Sequence, residues 1–458
     1  MDMEEKNKQS RRDFLSTVAL GAVGTMGAVS VLSGCGSSLN IKRPEDGTHL
    51  SLLEQAPDGE VLKAGLVGCG GRGTGAAVNF VDAGPNLEIV AIGDAFQDQI
   101  DRCRNTLKQA RDIEIDDDKC FAGLDCYKQV IDSDIDVILL ASPPNFRPRE
   151  VKAAIEAGIH VFQEKPVAVD PVGARVMMEV TEQAKQKNLC MVSGTIRRYE
   201  KNYIETQRRV AQGQIGEVVS ANIIRNGGAL WWVERKDEWS DLEYMLRNWG
   251  NYNWLSGDHI IEQYIHELDV MSWHLGSHPV KAMGYGGRQQ RISGDLYDHF
   301  SIVYEYEGGK KVNCFCRQIN GCDNGKVEKI VGSEGYADAS GTIYNHKGEI
   351  IWEYPFPTQN DEDQTWRVNN PYVQEHVELV TAIRTGQYLN DSDEQIKSTL
   401  IGIMGRMAAY SGNEITWDQV VNSDLDISPD VISFDASYDI PDSPPLAGVA
   451  PAPTDRYA

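Results

Sequence analysis

Short apolar runs alternate with stretches of helical spacing through the first half of the chain. Residues 61–67 form an apolar run, and residues 74–83 can form a helix behind it. A second strand is predicted over 87–92, followed by a helix over 96–111. A third, over 135–141, is stopped by Ser142-Pro143-Pro144-Asn145 and followed by a helix over 148–157. Two more strands are predicted at 160–163 and 189–193. Strands alternating with helices imply a parallel, doubly wound sheet. The second half reads differently. Residues 299–319 alternate about Glu307-Gly308-Gly309-Lys310, the pattern of an antiparallel hairpin. Ahead of it, Ile261, Ile265, Leu268 and Met271 are spaced for one helix. Residues 372–385 and 395–410 predict two further helices that pack back between the domains.

The two ends depart from this rhythm. Ser10-Arg11-Arg12-Asp13-Phe14-Leu15 precedes a soft apolar stretch over 18–32, diluted by Gly21, Gly24 and Gly27. It is too short and weakly apolar for a membrane span. It resembles a twin-arginine export signal. Leu32-Ser33-Gly34-Cys35 resembles a lipobox, which makes Cys35 a lipidation site; an N-terminal anchor helix is the alternative. The expectation is therefore a signal over 1–35, a tether over 36–60 and a Pro-rich strap or tail over 426–458. The protein is expected in the periplasm, lipid-anchored to a bacterial membrane. Gly36 gives no inner-membrane retention signal, which favours the outer membrane.

The chain has 458 residues, with 44 Lys and Arg against 68 Asp and Glu, a net charge of −24. That balance excludes a nucleic-acid binder and a surface that seeks anionic lipid. It leaves the lipid alone to hold the protein at a membrane. Nine Cys are too sparse for a disulfide scaffold.

The chemistry begins after the first strand. Gly68-Cys69-Gly70-Gly71-Arg72-Gly73 lies between strand and helix, as a pyrophosphate cradle requires. The second strand ends in Asp94. A carboxylate there accepts hydrogen bonds from an adenosine ribose and repels a 2′-phosphate, favouring NAD over NADP. Capping the following helix is the competing role. Arg72 is read equally as a phosphate contact or a solvated side chain.

Together with Phe121-Ala122-Gly123-Leu124-Asp125-Cys126-Tyr127, Ser142-Pro143-Pro144 and Glu164-Lys165-Pro166, these residues resemble the glucose–fructose oxidoreductase/inositol dehydrogenase/MocA (Gfo/Idh/MocA) family. The resemblance runs from about residue 61 to 417. It implies an NAD-binding Rossmann domain, placed at 61–195, and an α/β domain with a large, mostly antiparallel open sheet, placed at 196–425. It implies an oxidoreductase acting on a sugar, polyol or related substrate, and a homo-oligomer. Ser142, Pro143, Asn145, Glu164 and Lys165 join the glycine loop and Asp94 as cofactor-site candidates.

Lys165, at a strand end, is suited to hold the substrate oxygen; pairing with Glu164 alone is the bland alternative. Glu262 and His266 are four residues apart, and Asp269 follows three later, so one helix would set them on one side. The resemblance makes His266 the general acid/base, with Glu262 on a substrate hydroxyl or on the histidine and Asp269 in support. The family acid is usually Asp, so Glu262 departs from the pattern. A core histidine and a divalent-metal site are the rival readings; no Cys/His cluster completes a metal shell, and no metal is expected. Arg198, Tyr199 and Trp254 are substrate candidates, because aromatic faces beside hydrogen-bonding groups suit carbohydrate rings. For the tryptophans, core packing is the equal alternative.

Export of a folded protein to a place poor in free NAD implies a retained cofactor, reoxidised in place. A redox-neutral glycosidase, acting by transient oxidation and elimination, is one alternative, although the family glycosidases lack the lysine of Glu-Lys-Pro. A catalytically inactive sugar-binding module is the other.

Overall fold

The computed structural model describes residues 50–440, which lie in one compact unit. The twin-arginine stretch, Cys35 and the last part of the Pro-rich tail lie outside the described residues. Among the described residues no helix is long and apolar enough to cross a membrane.

The first half alternates β1 (Leu62–Val67), α1 (Gly71–Asp82), β2 (Leu87–Asp94), α2 (Gln97–Arg111), β3 (Cys120–Ala122), α3 (Cys126–Ile131), β4 (Val137–Leu140), α4 (Arg147–Ala157), β5 (His160–Gln163), α5 (Pro171–Gln186) and β6 (Met191–Ser193). The six strands form a parallel sheet in the order β3-β2-β1-β4-β5-β6. All four residues of β4 are buried, because helices cover both faces of the sheet. The strand order reverses between β1 and β4, and the crevice beyond their carboxyl ends is where ligands bind such sheets.

The second half opens with α6 (Lys201–Ala211) and β7 (Val218–Gly227). A run of short helices follows: α7 (Asp241–Arg247), α8 (Asn253–Ser256), α9 (His259–Glu262) and α10 (Ile265–Leu275). Next come β8 (Lys281–Gly287), β9 (His299–Glu305), β10 (Lys311–Gln318), β11 (Gly325–Gly332), β12 (Gly335–Asp338), β13 (Thr342–Asn345) and β14 (Ile350–Glu353). The chain closes with α11 (Pro371–Thr385), α12 (Ser392–Ser411), β15 (Ile415–Thr416) and α13 (Trp417–Asn422). Nine strands make one sheet in the order β14-β13-β12-β11-β7-β10-β9-β8-β15, antiparallel except for β7 beside β10. Along β10 buried residues alternate with more exposed ones, so one face meets α10 and α12 while the other stays open. The expected hairpin is β9–β10, paired from Lys311 with Glu305 to Arg317 with His299.

One expected helix is interrupted. The apolar spacing from Ile261 to Met271 predicts a continuous element, yet α9 stops at Glu262 and α10 begins at Ile265. Tyr264 sits at the break with its ring buried, and its hydroxyl donates to the Ile223 carbonyl at 2.7 Å. Anchoring to β7 outweighs helical continuity at that one position. The break also turns the Glu262 carbonyl to the Lys165 ammonium, which donates to it.

Both flanks of the described chain are docked. Ser51 and Leu52 donate their backbone N–H groups to Glu378 of α11, and Arg384 of the same helix donates to the Pro57 carbonyl at 2.7 Å. After α13, Ile427 donates its N–H to Asp170, and Phe434 reaches the Phe96 ring at 6.0 Å.

Candidate active site

The glycine loop combines two kinds of glycine. A side chain at Gly73 would put its Cβ 1.8 Å from the Gly68 carbonyl oxygen, and at Gly68 (φ +94°) one would meet the Ala141 backbone at 2.6 Å. These two let β1, α1 and the end of β4 close on one another. Gly70 and Gly71 have nothing within 4 Å of such a Cβ. They are bare backbone at the start of α1, where unpaired N–H groups suit an anion. The loop lines a cavity of about 790 Å³ that continues past Asp94, Phe96 and Leu124 to Ser142 and Pro143. Asp94 accepts from the Cys69 N–H at 2.7 Å and the Phe96 N–H at 2.9 Å. Burial pushes its carboxyl above the usual range, against those two bonds. The carboxylate holds the turn ahead of α2 without capping that helix, whose N-cap is Phe96, and it also lines the cavity. An open glycine cradle, a cavity of this size and a carboxylate at the end of β2 fit a bound NAD.

Not every cofactor-site candidate faces this cavity. Arg72 lines it, but its guanidinium is bound to Glu164 and Glu375, the latter at 3.0 Å, and stacks over Tyr372. It ties α1 to α11 rather than standing free for a phosphate. The Ser142 hydroxyl donates to Glu150. Asn145 points away: its amide donates to Ser428 at 2.9 Å, on the side where the C-terminal segment docks. That corrects its reading as a cofactor contact. Glu164 and Lys165 lie outside the cavity wall, and Glu164 is committed to Arg72.

Lys165 meets Glu262 instead of Glu164. Its Nζ lies 2.9 Å from Glu262 Oε1 and also donates to the Glu262 carbonyl, with both side chains largely covered. This pair joins the end of β5 to the end of α9. His266 follows on α10, and its Nδ1 is buried with no hydrogen-bond partner. Burial depresses the His266 imidazole well below its ordinary value, and the charges of Lys165, Arg197, Arg225 and Arg72 add to that. The ring is therefore neutral at neutral pH, a proton acceptor rather than a group poised at half-titration.

The remaining candidates are built into the frame. Asp269 does not reach His266; it accepts from Arg198 Nε at 2.8 Å, Ser398 at 2.9 Å and Gln395 at 3.3 Å. Arg198 is held by Asp269 and Glu394 under the Trp273 ring. Tyr199 is 1% exposed and donates to Asp391 at 2.6 Å, so it is a core hydroxyl and not a sugar platform. Trp254 is buried edge-on against Phe146, whose ring lines the cavity; it backs the wall. The substitution of spatial neighbours for sequence neighbours explains all four. Among the described residues no three His, Cys, Asp or Glu side chains gather as a metal site.

Residues that the sequence reading did not single out complete the cavity. Trp239, Leu246 and Arg247 wall it from the segment between β7 and α8, beside Trp231, one of the tryptophans weighed as a sugar contact. The Trp-rich composition of 231–254 was the available signal, but its target was not. Arg147 is fully buried and donates to the Ser142 carbonyl at 2.8 Å and to the Pro166 carbonyl, tying two of the strand-end loops together.

Comparison with known proteins agrees with this geometry. Residues 62–193 match the Gfo/Idh/MocA model for an oxidoreductase family with an NAD-binding Rossmann fold. Residues 203–338 match the Gfo/Idh/MocA C-terminal domain, and together the two matches cover more than half the chain. An inositol 2-dehydrogenase of Salmonella typhimurium is 24% identical over 284 residues, 60% of this chain and 73% of that protein. An α-N-acetylgalactosaminidase of Shewanella oneidensis is 25% identical over 245 residues, 53% of this chain and 50% of that protein. The crystal structure of scyllo-inositol dehydrogenase from Lactobacillus casei with bound NAD(H) and scyllo-inositol is alike in fold. Its TM-score is 0.58 at 19% identity, covering 78% of this chain and 99% of that one.

Proposed function

The chain belongs to the Gfo/Idh/MocA family of NAD-binding oxidoreductases, and on that premise we propose that it oxidises a CH–OH group of a sugar, polyol or glycoside and keeps its NAD through the cycle. The observation that carries the reading is the Lys165–Glu262 pair beside a neutral, unpartnered His266, built from both domains. Bound NAD supplies the two-electron acceptor. Lys165 holds the substrate oxygen and stabilises the charge that grows on it. His266 takes the hydroxyl proton, and its depressed basicity fits it to give that proton to the oxygen of a second carbonyl substrate, a ketose or other ketone, which would be the oxidant a retained NADH needs. Glu262 fixes the ammonium and offers its second oxygen to a neighbouring hydroxyl. The inositol dehydrogenase relatives support a polyol substrate.

Retention of NAD belongs with the export reading: a twin-arginine signal, Cys35 lipidation and a periplasmic site would put the enzyme where free NAD is scarce. The test is the reduced-nicotinamide absorbance of protein as purified, before and after a panel of sugars and inositols. Appearance or bleaching of that band without added NAD supports the reading. No change with any substrate, together with unchanged ligand binding by Lys165→Ala, would leave a binding module.

The α-N-acetylgalactosaminidase relative gives a second reading, a redox-neutral glycosidase. Reaction of a glycoside in deuterated water separates the two. Deuterium on the carbon beside the oxidised one indicates elimination; none, with a ketone product, indicates the oxidoreductase.

A further inference from the structure

One wall of the cavity along the glycine loop is a single stretch of the chain. Trp231, Val233, Lys236, Trp239, Leu246 and Arg247 line it, and all belong to the segment between β7 and α8. Arg247 is the point where that segment is fastened. Its guanidinium lies 4.2 Å from the Phe96 ring centre and 4.8 Å from that of Trp239. It donates to the two Asp98 oxygens at 3.0 and 3.3 Å, and to Glu243 at 2.9 Å. Phe96 stands two residues beyond Asp94, at the end of the cavity where the ribose carboxylate sits.

A third segment reaches the same place. Phe434 packs against Phe96 at 6.0 Å, and the Tyr438 N–H donates at 3.0 Å to Asp241, the first residue of α7. Three stretches distant in sequence therefore converge on one aromatic ring beside the adenosine end. A planar cation between two aromatic rings, with a forked carboxylate bond, is a directional contact that needs all its partners in place. Arg247 is largely covered but Asp98 is half exposed, so the ion pair can break from the solvent side without unfolding the sheet.

We propose that Arg247 is a latch: it fastens the segment 228–249 over the adenosine half of the cavity, and bound NAD leaves only when the Arg247–Phe96–Asp98 contact opens. The latch deepens the reading of a retained cofactor and rests on the cavity being the NAD site. Arg247 acts through the cover, as a positioning residue, and not on the reacting atoms. The C-terminal segment braces the latch through Phe434.

The test measures cofactor release, not turnover. Wild-type protein, Arg247→Ala, Arg247→Lys, Asp98→Asn and Phe434→Ala are loaded with NADH and chased with excess NAD, and the loss of bound-NADH fluorescence is timed. NAD content as purified is measured after denaturation. Release should quicken about tenfold or more in Arg247→Ala, and less in Arg247→Lys, which keeps the charge but loses the planar stack. Asp98→Asn and Phe434→Ala should fall between these and wild type. Equal release from wild type and Arg247→Ala would overturn the latch. Should Arg247→Ala fail to fold, unchanged release from both Asp98→Asn and Phe434→Ala would overturn it equally. Fast release from wild type, faster still in Arg247→Ala, would uphold the latch and sink the retained-cofactor reading. Slow, equal release from both would do the reverse.

Discussion

The glycine loop and the α9–α10 break perform their work by opposite means. In the loop the chain contributes absence: Gly70 and Gly71 leave room, and Gly68 and Gly73 let backbones touch. At the break it contributes side chains that meet from far apart, Lys165 with Glu262 and His266 under the charges of Arg197 and Arg225. The first device is local, and any residue with a Cβ damages it. The second exists only when both sheets are assembled. A cradle made of backbone loses its ligand wherever a Cβ intrudes, and at Gly68 and Gly73 the close packing of the strands is lost with it. A site made of paired side chains can lose one member and stay folded while its chemistry goes.

The largest effect is expected where the comparison is sharpest. His266→Ala should lower kcat by about 10²- to 10⁴-fold, the usual worth of a positioned proton acceptor, while NAD content and melting temperature change little. Measured turnover within a few fold of wild type would remove His266 from the mechanism and make it a core histidine. The same residue fixes the pH profile. Because burial and nearby cations hold its folded value well below 6.5, the neutral form persists as pH falls through 6.5. The acidic limb of kcat/KM for oxidation should therefore have its midpoint below 6.5. A midpoint above that value would contradict a desolvated His266 as the base.

The glycines give the next largest effects, and they divide. Gly73→Ala forces a methyl against the Gly68 carbonyl oxygen, so backbone must move. It should cost about 2 kcal/mol or more of stability in the cofactor-free protein, read from denaturant or thermal unfolding. Gly70→Ala meets nothing and has φ −68°, which alanine adopts freely. Its cofactor-free stability should stay within about 0.5 kcal/mol, while NAD affinity falls about tenfold or more because the methyl stands where the pyrophosphate approaches. Equal NAD affinity in Gly70→Ala and wild type would mean that the loop holds the fold but not the dinucleotide.

The same division explains what could be read in advance. The parallel sheet follows from local patterns, since each strand is a buried apolar run and each helix its cover. The observed β2, β4 and β5 fall within about two residues of the expected runs. The loop and Asp94 are contiguous motifs whose chemistry depends on positions a few residues apart. Tyr264 is different: nothing in the periodicity of 257–271 says that its hydroxyl will anchor to Ile223 and break the helix. Arg198 and Tyr199 follow a strand end, which suggests a ligand contact. Yet the partners they take, Asp269 and Asp391, lie about 70 and 190 residues away along the chain. Arg247 was hidden for the same reason, since its meaning comes from Phe96 and Asp98 across the cleft.

Tyr199 offers the smallest and cleanest break of the comparison. If it served the substrate, Tyr199→Phe would raise KM; as a core hydroxyl donating to Asp391, it should leave KM unchanged and lower stability by about 1–2 kcal/mol. The loss should also depend on pH. Burial holds Asp391 up at about 6, above its ordinary 3.8, and the Tyr199 hydroxyl opposes that shift by stabilising the carboxylate. The folded state thus binds a proton more readily than the unfolded chain between those values, so the stability contributed by Asp391 declines as pH rises through that window. Removing the hydroxyl raises the folded value further and extends the decline upward. The difference in unfolding free energy between wild type and Tyr199→Phe should therefore be greater above pH 6 than below it. A difference independent of pH, joined to a raised KM, would return Tyr199 to the substrate site and undo its assignment to the frame.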